Sequence, residues 1–430
     1  MNVILKLFLG LNVISVLVWT KYSVNGTVAR YDGYRLYKIT PRTDQHLKLL
    51  NDIESTSDSF NFISGPSKED TVVSVIVAPH KFADFDLMMS MEGMTYEISE
   101  NNVQSLIDEE SLIQSRISEN FGWKRYYPLD NIYKWIDGIL EEYPEVTSPI
   151  YAGKTYEERD IRGVKISYKN GNPGVFIEGG IHAREWISPS VTTYLLNTLL
   201  STKNESIRRI AENFDWYIVP SVNPDGYVHT HTSNRLWRKT RKPYGSGCFG
   251  VDPNRNFDFQ FGKIGVSKNP CSDIYSGPKA FSEVEMKSYS DYLASLQGKI
   301  HTFLGFHAYS QLLLFPYGHT NKKAENYDDL LDIGNKAISA LARRFNTTYI
   351  VGDVYNTIYP ASGCSMDWVY EILKVRLSYT YELRPNARSS FGFELPADKI
   401  IPTALETIDS ILAILNRAKE LGYYESGKKK

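Results

Sequence analysis

The chain has 430 residues, of which 42% are hydrophobic and 23% are charged, and its formal net charge is −2. At roughly 100–200 residues per domain, this length allows about two or three globular domains of ordinary composition. No excess of one charge sign indicates binding to nucleic acid or to a membrane surface.

The N-terminus begins with an apolar run from Val3 to Trp19 that contains few polar residues. The run is shorter than the ~20 apolar residues that a membrane span requires. We therefore interpret residues 1–26 as a signal peptide rather than a transmembrane anchor. The mature protein is expected to be secreted and extracellular, with no membrane association.

Short strand-like and helix-like segments alternate from about Tyr34 to Glu110. The predicted strands are 34–39, 59–63, 71–78 and 96–98, and the predicted helices are 44–54, 82–93 and 102–110. This order is typical of a small ferredoxin-like α+β domain. The domain contains no cluster of metal ligands or nucleophiles, which favours a pro-segment over the alternative of a permanent accessory domain.

The stretch 109–124 is polar and lacks strong periodicity, so we predict an exposed connector. Arg116 lies in its middle and offers a cleavage site for a trypsin-type protease.

A longer α/β pattern follows the connector. The predicted strands are 161–168, 174–178, 216–220, 302–306 and 375–381, and the predicted helices are 188–200, 282–296, 328–345 and 403–421. Strands that read as nearly continuous apolar runs between helices predict a mostly parallel mixed sheet with helices on both faces.

The three cysteines are Cys248, Cys271 and Cys364. In a secreted chain, an odd count suggests one disulfide and one leftover thiol. Cys248 and Cys271 bracket a loop rich in Gly, Pro, Ser and Asn, and closing a loop of that length contributes on the order of 3 kcal/mol.

Most of the eight histidines stand in contexts that are typical of surface or satisfied polar side chains. These are His46 and His80 in the N-terminal domain, His229 and His231 in an apparent polar loop, and His301 and His319 in turn-like contexts.

His182 differs, because it follows an apolar strand and precedes Glu185 by three residues, where a helix should begin. His307 and Glu382 each end another apolar strand. Ligands in open α/β sheets bind beyond the carboxyl ends of the strands. Catalytic zinc sites commonly use three such nitrogen and oxygen ligands. His182, Glu185 and His307 are therefore candidate zinc ligands, and Glu382 is a candidate general base unless it is instead a buried partner of Arg384 or another arginine.

Arginines cluster between these candidates, with Arg235 and Arg238 in NRLWRKTR and Arg255 in DPNRNF. A guanidinium group can bind a carboxylate with two parallel hydrogen bonds or stabilise an oxyanion. Three neighbouring cations are interpreted as solvated surface charge: Lys239, Arg241 and Lys242.

Seven motifs, in this order, resemble the A/B branch of the zinc metallocarboxypeptidases: IHAREWISP, NPDGY, NRLWRKTR, GVDPNRNFD, FHAYSQLLLFPYG, IYPASGCSMDW and YELR. The resemblance extends from about Tyr34 to the C-terminal helix. It implies a secreted zymogen that hydrolyses the C-terminal bond of peptides and proteins and binds one Zn²⁺ per chain.

The resemblance also implies a role for each matching residue. His182, Glu185 and His307 match the zinc ligands, and Asp252 matches the carboxylate that orients the first histidine. Glu382 matches the general base and Arg238 the group that holds the oxyanion. The residues that match the binding site of the terminal carboxylate are Asn254, Arg255 and Tyr359. The residues that match outer peptide subsites are Arg184, Arg235, Tyr309 and Phe391.

The same resemblance implies an inhibitory prodomain with its connector over residues 27–116 and a catalytic domain over residues 117–430. It implies activation after Arg116 by a trypsin-like protease, and a disulfide between Cys248 and Cys271. A peptide bond that precedes proline favours the trans form by only about 0.5–1 kcal/mol. Because the family often has a cis bond just after the base-bearing strand, we predict that the Arg384–Pro385 bond is cis.

In the resembling family, the position of Met366 determines which C-terminal residue is removed. An acidic residue there accepts Lys or Arg, whereas an apolar one accepts aromatic or large aliphatic side chains. Met366 therefore predicts an A-type enzyme, in a pocket that Cys364 narrows. The alternatives are a B-type enzyme for Lys or Arg and a catalytically inactive peptide-binding homologue. The presence of Glu382 and all three candidate ligands favours an enzyme.

Overall fold

The computed structural model describes residues 28–56, 59–66, 68–115, 121–389 and 392–425. Three predicted features lie outside these described residues: the signal peptide over residues 1–26, the cleavage residue Arg116 and the subsite residue Phe391.

The N-terminal domain is a four-stranded antiparallel sheet with order β2-β3-β1-β4, packed against helices. Its elements in chain order are β1 (Arg35–Ile39), α1 (Asp44–Thr56), β2 (Phe60–Ser64), β3 (Val73–Val77), α2 (Phe82–Met91), β4 (Tyr96–Glu100) and α3 (Val103–Ser115). This confirms the ferredoxin-like prediction. Strand β3 is buried on both faces, because Val75 packs in the domain's own core while Ile76 belongs to a second apolar cluster that includes Leu236 of the second domain.

The predicted connector is wrong at both ends. Helix α3 continues through Ser115, so the first part of the stretch 109–124 is helical. At its other end, the ring of Phe121 stacks on Trp135 with 4.7 Å between centroids, and the Trp123 indole donates a 3.1 Å hydrogen bond to Thr193. Burying these aromatic side chains stabilises the packed conformation, so this end of the stretch is not an exposed connector.

The second domain is built on an eight-stranded mixed sheet with order β11-β10-β12-β9-β7-β8-β6-β5. Its elements are α4 (Leu129–Glu142), β5 (Thr147–Lys154), β6 (Asp160–Ile166), β7 (Gly174–Glu178), α5 (Ile187–Ser201), α6 (Glu205–Asn213), β8 (Asp215–Val219), α7 (Pro224–Thr232), α8 (Val284–Ser295), β9 (Ile300–Ser310), β10 (Leu312–Phe315), α9 (Tyr327–Phe345), β11 (Ile350–Asp353), α10 (Val354–Thr357), α11 (Ser365–Glu371), β12 (Leu377–Asn386) and α12 (Ile400–Glu420). The central strands β12, β9, β7 and β8 run parallel, and the pairs β10–β12, β8–β6 and β6–β5 are antiparallel.

Both faces of this sheet are covered. Along β7, Val175 and Ile177 belong to the apolar cluster that includes residues of α4, α5 and α12, whereas Phe176 belongs to the cluster on the other face with Tyr289 of α8. Because successive strand residues point to opposite faces, a strand buried on both sides is apolar throughout. The α/β prediction with helices on both faces is confirmed.

Three local interpretations are wrong. His301 lies in β9 rather than in a turn. His229 and His231 lie in α7 rather than in a polar loop, since Asn223 caps this helix by accepting from the Gly226 N–H at 3.1 Å. Lys239 is buried rather than solvated, and its ammonium donates to the Pro270 carbonyl at 2.6 Å.

The expected covalent features are present. Cys248 and Cys271 form a disulfide with 4.9 Å between their Cα atoms, and Cys364 is a buried free thiol. The Arg384–Pro385 bond is cis, as predicted. None of the helices in the described ranges combines the length and the apolarity needed to cross a membrane.

Candidate active site

A tight turn after β7 delivers the first two candidate ligands. Gly180 adopts a φ of 61°, and a Cβ there would lie 3.0 Å from the Pro220 carbonyl oxygen, so a larger residue would be strained. The Ser188 hydroxyl accepts from the Gly180 N–H at 2.9 Å and donates to the Phe306 carbonyl at 2.6 Å. The turn is thereby tied to β9, the strand that carries His307.

His182, Glu185 and His307 converge, with one potential ligand atom from each lying within 4.8 Å of the others. All three side chains are buried. His182 Nδ1 lies 2.8 Å from Glu185 Oε1 and 3.1 Å from His307 Nδ1, while Glu185 Oε2 accepts from the Ala308 N–H at 3.1 Å. Two imidazole nitrogens and a carboxylate directed at one point form a donor set that suits zinc.

The electrostatics of His182 and Glu185 favour the protonation states that bind a metal, whereas the pKa of His307 is raised because the carboxylate of Glu185 outweighs the effect of burial. Burial, followed by the positive charge of Arg238, lowers the pKa of His182 and keeps its ring neutral. Burial alone would raise the pKa of Glu185, but His182 and His307 outweigh that effect and lower it. A neutral imidazole and an ionised carboxylate are the forms that ligate metal ions.

Asp252 connects His182 to Arg238. Its Oδ1 lies 3.2 Å from His182 Nε2, and its Oδ2 accepts from Arg238 Nη2 at 2.7 Å and Nε at 3.1 Å. Burial would raise the pKa of Asp252, but Arg238, Arg255 and His182 together hold it well below its usual range. The ionised carboxylate can therefore orient both the imidazole ring and the guanidinium group.

Arg255 is held by backbone oxygens on one side of the same cavity. Its Nε donates to the Gly265 carbonyl and its Nη1 to the Asn254 carbonyl, each at 2.9 Å. The guanidinium carbon lies 5.7 Å from the centre of the Tyr359 ring. The Asn254 side-chain oxygen accepts from the Ser365 N–H at 2.8 Å.

A cavity of about 540 Å³ brings these residues together. The predicted site residues that line it are His182, Arg184, Glu185, Arg238, Arg255, Tyr309, Tyr359 and Glu382. Glu382 lies opposite His307 in the register of β12 and β9, and burial raises its pKa to about 8. Arg384, the alternative partner of Glu382, is bound to Glu406 instead.

Met366 and Cys364 lie deeper, on the segment that opens α11. Met366 is buried, and its sulfur accepts from the Thr380 hydroxyl at 3.3 Å. Met366 is not among the residues that line the cavity. The Cys364 sulfur lies 4.0 Å from Arg255 Nη1.

The N-terminal domain lies over the cavity, with Phe62 in its lining, and it also binds arginines of the second domain through residues that the sequence analysis did not identify. Glu110 accepts from Arg235 at 2.6 and 3.1 Å, with both side chains buried. The Arg184 guanidinium donates to the Asn61 side chain at 3.3 Å and to the Phe62 carbonyl at 3.2 Å. The one signal available was charge complementarity, because a carboxylate at the end of a predicted helix can pair with the arginines of the second domain.

Known proteins resemble both domains. Residues 132–410 match the family model described as zinc carboxypeptidase, and residues 37–110 match that described as carboxypeptidase activation peptide. A zinc carboxypeptidase A 1 from Anopheles gambiae is 47% identical over 400 residues, which cover 93% of this chain and 92% of the relative. A carboxypeptidase B from Astacus astacus is 42% identical over 302 residues, which cover 69% of this chain and 98% of the relative.

A crystal structure of the carboxypeptidase A from Helicoverpa armigera superposes with a TM-score of 0.84 at 27% sequence identity, covering 91% of this chain and 99% of that structure. The fold, the buried histidine–glutamate–histidine group and the two family matches agree. The chain belongs to the zinc carboxypeptidase family and is a zinc-dependent metallocarboxypeptidase made as a zymogen with an N-terminal activation peptide.

Proposed function

We propose that this enzyme is an A-type carboxypeptidase, which removes aromatic or large aliphatic residues from the C-termini of peptides. The observation that carries this proposal is the apolar burial of Met366 at the position that sets specificity in the resembling family. Burying a Lys or Arg head beside it without a partner would cost several kcal/mol, whereas an apolar side chain would gain roughly 1.5–3 kcal/mol.

Asp367, the residue that follows Met366 in the chain, is an acidic residue that could reverse this preference. Its carboxylate accepts from the Gly318 N–H at 2.9 Å and lies 3.1 Å from His319 Nδ1. These bonds hold Asp367 to the segment after β10, which supports the A-type specificity over the B-type alternative.

In the proposed mechanism, His182, Glu185 and His307 hold the zinc ion. When bound, zinc polarises the scissile carbonyl and lowers the pKa of the attacking water. Glu382 accepts a proton from that water and passes it to the leaving amine. Arg238, which Asp252 holds in place, donates to the oxyanion that forms on the carbonyl oxygen.

The exopeptidase activity follows from the proposed carboxylate site of Asn254, Arg255 and Tyr359. The guanidinium of Arg255 can bind a terminal carboxylate with two hydrogen bonds. A chain that continues past this point has no carboxylate to place there. Arg184, Arg235, Tyr309 and Phe391 are proposed to bind residues further from the C-terminus.

We further propose a signal peptide over residues 1–26, a prodomain over 27–116 and a catalytic domain over 117–430, with activation of the secreted zymogen by a trypsin-like protease after Arg116. The basic pair Lys124–Arg125 is the competing site. Its surroundings are packed, because Trp123 bonds to Thr193 and the Arg125 guanidinium lies 4.4 Å from the Tyr127 ring centre. N-terminal sequencing of the active form should give Ile117, and a start at Tyr126 would contradict this placement.

A panel of blocked dipeptides that end in Phe, Leu, Trp, Lys or Arg tests the specificity. The trypsin-treated protein should cleave the Phe and Leu substrates most efficiently, and a chelator should abolish that cleavage. A catalytic efficiency for Lys or Arg that equals or exceeds that for Phe would favour the B-type alternative. No cleavage of any member by the zinc-loaded protein would favour the inactive homologue.

A further inference from the structure

A buried carboxylate that the proposed mechanism does not use lies at the end of β7. Glu178 is the last residue of this strand and is fully buried. Its Oε2 accepts from the Tyr289 hydroxyl of α8 at 2.9 Å, and its Oε1 accepts from the Ser365 hydroxyl of α11 at 3.0 Å. Burying a carboxylate is costly, and these hydroxyl donors offset part of that cost.

Ser365 is bound at two points, and the second leads to the candidate carboxylate site. While its hydroxyl donates to Glu178, its backbone N–H donates to the Asn254 side-chain oxygen at 2.8 Å. Ser365 also begins α11 and directly precedes Met366. One residue thus connects the central sheet to both the terminal-carboxylate site and the specificity position.

The segment before Ser365 is held on its other side by the chain around Arg255. The Gly363 N–H donates to the Phe259 carbonyl at 3.2 Å, and the Gly363 carbonyl accepts from the Phe257 N–H at 3.0 Å. A Cβ on Gly363 would lie 2.4 Å from the Arg255 carbonyl oxygen, so this approach requires glycine. With one side fixed in this way, the bond to Glu178 determines where α11 starts.

We propose that Glu178 is a positioning residue for substrate binding, which acts through Ser365 on Asn254 and Met366. The inference rests on the proposed roles of Asn254 and Met366. A strand end in the middle of the sheet is a rigid support for such a bond, and outer partners of this kind tune the residues that touch a ligand. Without this acceptor, the buried Ser365 hydroxyl has no hydrogen-bond partner. The Ser365 N–H is then no longer held in place as the donor to the Asn254 side-chain oxygen.

The inference predicts weaker substrate binding with little change in chemistry, because Glu382 lies on β12 and Arg238 lies in the loop after α7. In the trypsin-activated enzyme, Glu178→Leu should raise KM for a blocked dipeptide ending in Phe, and Ki for free phenylalanine, by about tenfold, the loss of roughly one buried hydrogen bond. Its kcat should stay close to that of the wild type.

Two further variants separate positioning from a general structural role. Glu178→Gln keeps an acceptor for Ser365 and should restore most of the affinity. Tyr289→Phe removes the other donor to the same carboxylate and should leave KM nearly unchanged. Zinc content and Tm are measured for each protein.

Equal KM increases in Glu178→Leu and Tyr289→Phe would overturn the inference, and so would a fall in kcat at constant KM. If Glu178→Leu does not fold, Ser365→Ala provides the same test: a raised KM supports the inference and an unchanged KM overturns it. A wild-type enzyme that does not cleave the Phe substrate would instead refute the proposed A-type function.

Discussion

The pair of Glu110 and Arg235 offers a direct test of how the prodomain, the N-terminal domain described above, keeps the zymogen inactive. Both side chains are buried: Arg235 has 5% of its side-chain surface exposed, and Glu110 has 6%. Replacing Glu110 by Ala leaves the guanidinium without its carboxylate in the docked state. In the released catalytic domain, water can solvate Arg235, so the substitution penalises docking alone.

The free-energy cost to docking depends on which interactions Arg235 keeps once Glu110 is removed. Breaking a buried ion pair costs roughly 3–5 kcal/mol. Arg235 keeps the Arg184 and Phe393 carbonyls as acceptors, at 2.9 and 2.8 Å, and its guanidinium lies 3.7 Å from the Trp186 ring centre. We therefore take the lower end, about 3 kcal/mol, which shifts the docking equilibrium roughly 100-fold toward release.

The assay compares peptide hydrolysis by the uncut and the trypsin-treated protein. Uncut Glu110→Ala should show markedly higher activity than the uncut wild type, whereas the two trypsin-treated enzymes should be equal because Glu110 leaves with the prodomain. Glu109→Ala is the matched control, since Glu109 is exposed on the same helix. The reasoning is refuted if uncut Glu110→Ala is as inactive as Glu109→Ala.

Four further outcomes are expected. Glu382→Gln should keep its zinc but lose turnover by about 100- to 10,000-fold, and near-normal turnover would exclude Glu382 as the base. His307→Ala should lose zinc by metal analysis, and full occupancy would remove it from the ligand set. Met366→Asp should shift the preference toward Lys and Arg in the dipeptide panel, and an unchanged ranking would mean that another residue sets specificity. Burial raises the pKa of Glu54 from 4.5 to about 7 in the docked prodomain. Docking should therefore weaken as the pH rises from 4.5 to about 7, and the activity of the uncut protein should rise over the same range. The activity of uncut Glu54→Gln should not show this pH dependence.

The sequence predicted most of the central sheet and the arrangement of the candidate site, for a physical reason. Buried parallel strands are apolar along their whole length, so β7, β9 and β12 are visible as runs that end in His or Glu. The carboxyl ends of parallel strands meet at one edge. Knowing that His182, His307 and Glu382 follow or end such strands was therefore enough to expect them in one place.

Elements that depend on local capping or on tertiary packing were not predicted. Helix α7 carries polar residues along YVHTHT, and the cap at Asn223 defines its start. Lys239 resembles a surface residue in sequence, yet the Pro270 carbonyl receives its ammonium group inside the protein. The contact between Glu110 and Arg235 joins residues 125 positions apart, and neither hydrophobic periodicity nor spacing encodes such a pairing.

The disulfide between Cys248 and Cys271 spans Asp252, Asn254 and Arg255, three of the residues around the candidate carboxylate site. A loop closed by a disulfide has fewer accessible conformations, so less conformational entropy is lost when a ligand binds to it. His182, Glu185 and His307 lie outside this loop. Affinity for the substrate's carboxyl end is therefore tied to the thiol–disulfide balance of the surroundings, and the zinc site meets the same loop through the contact of Asp252 with His182.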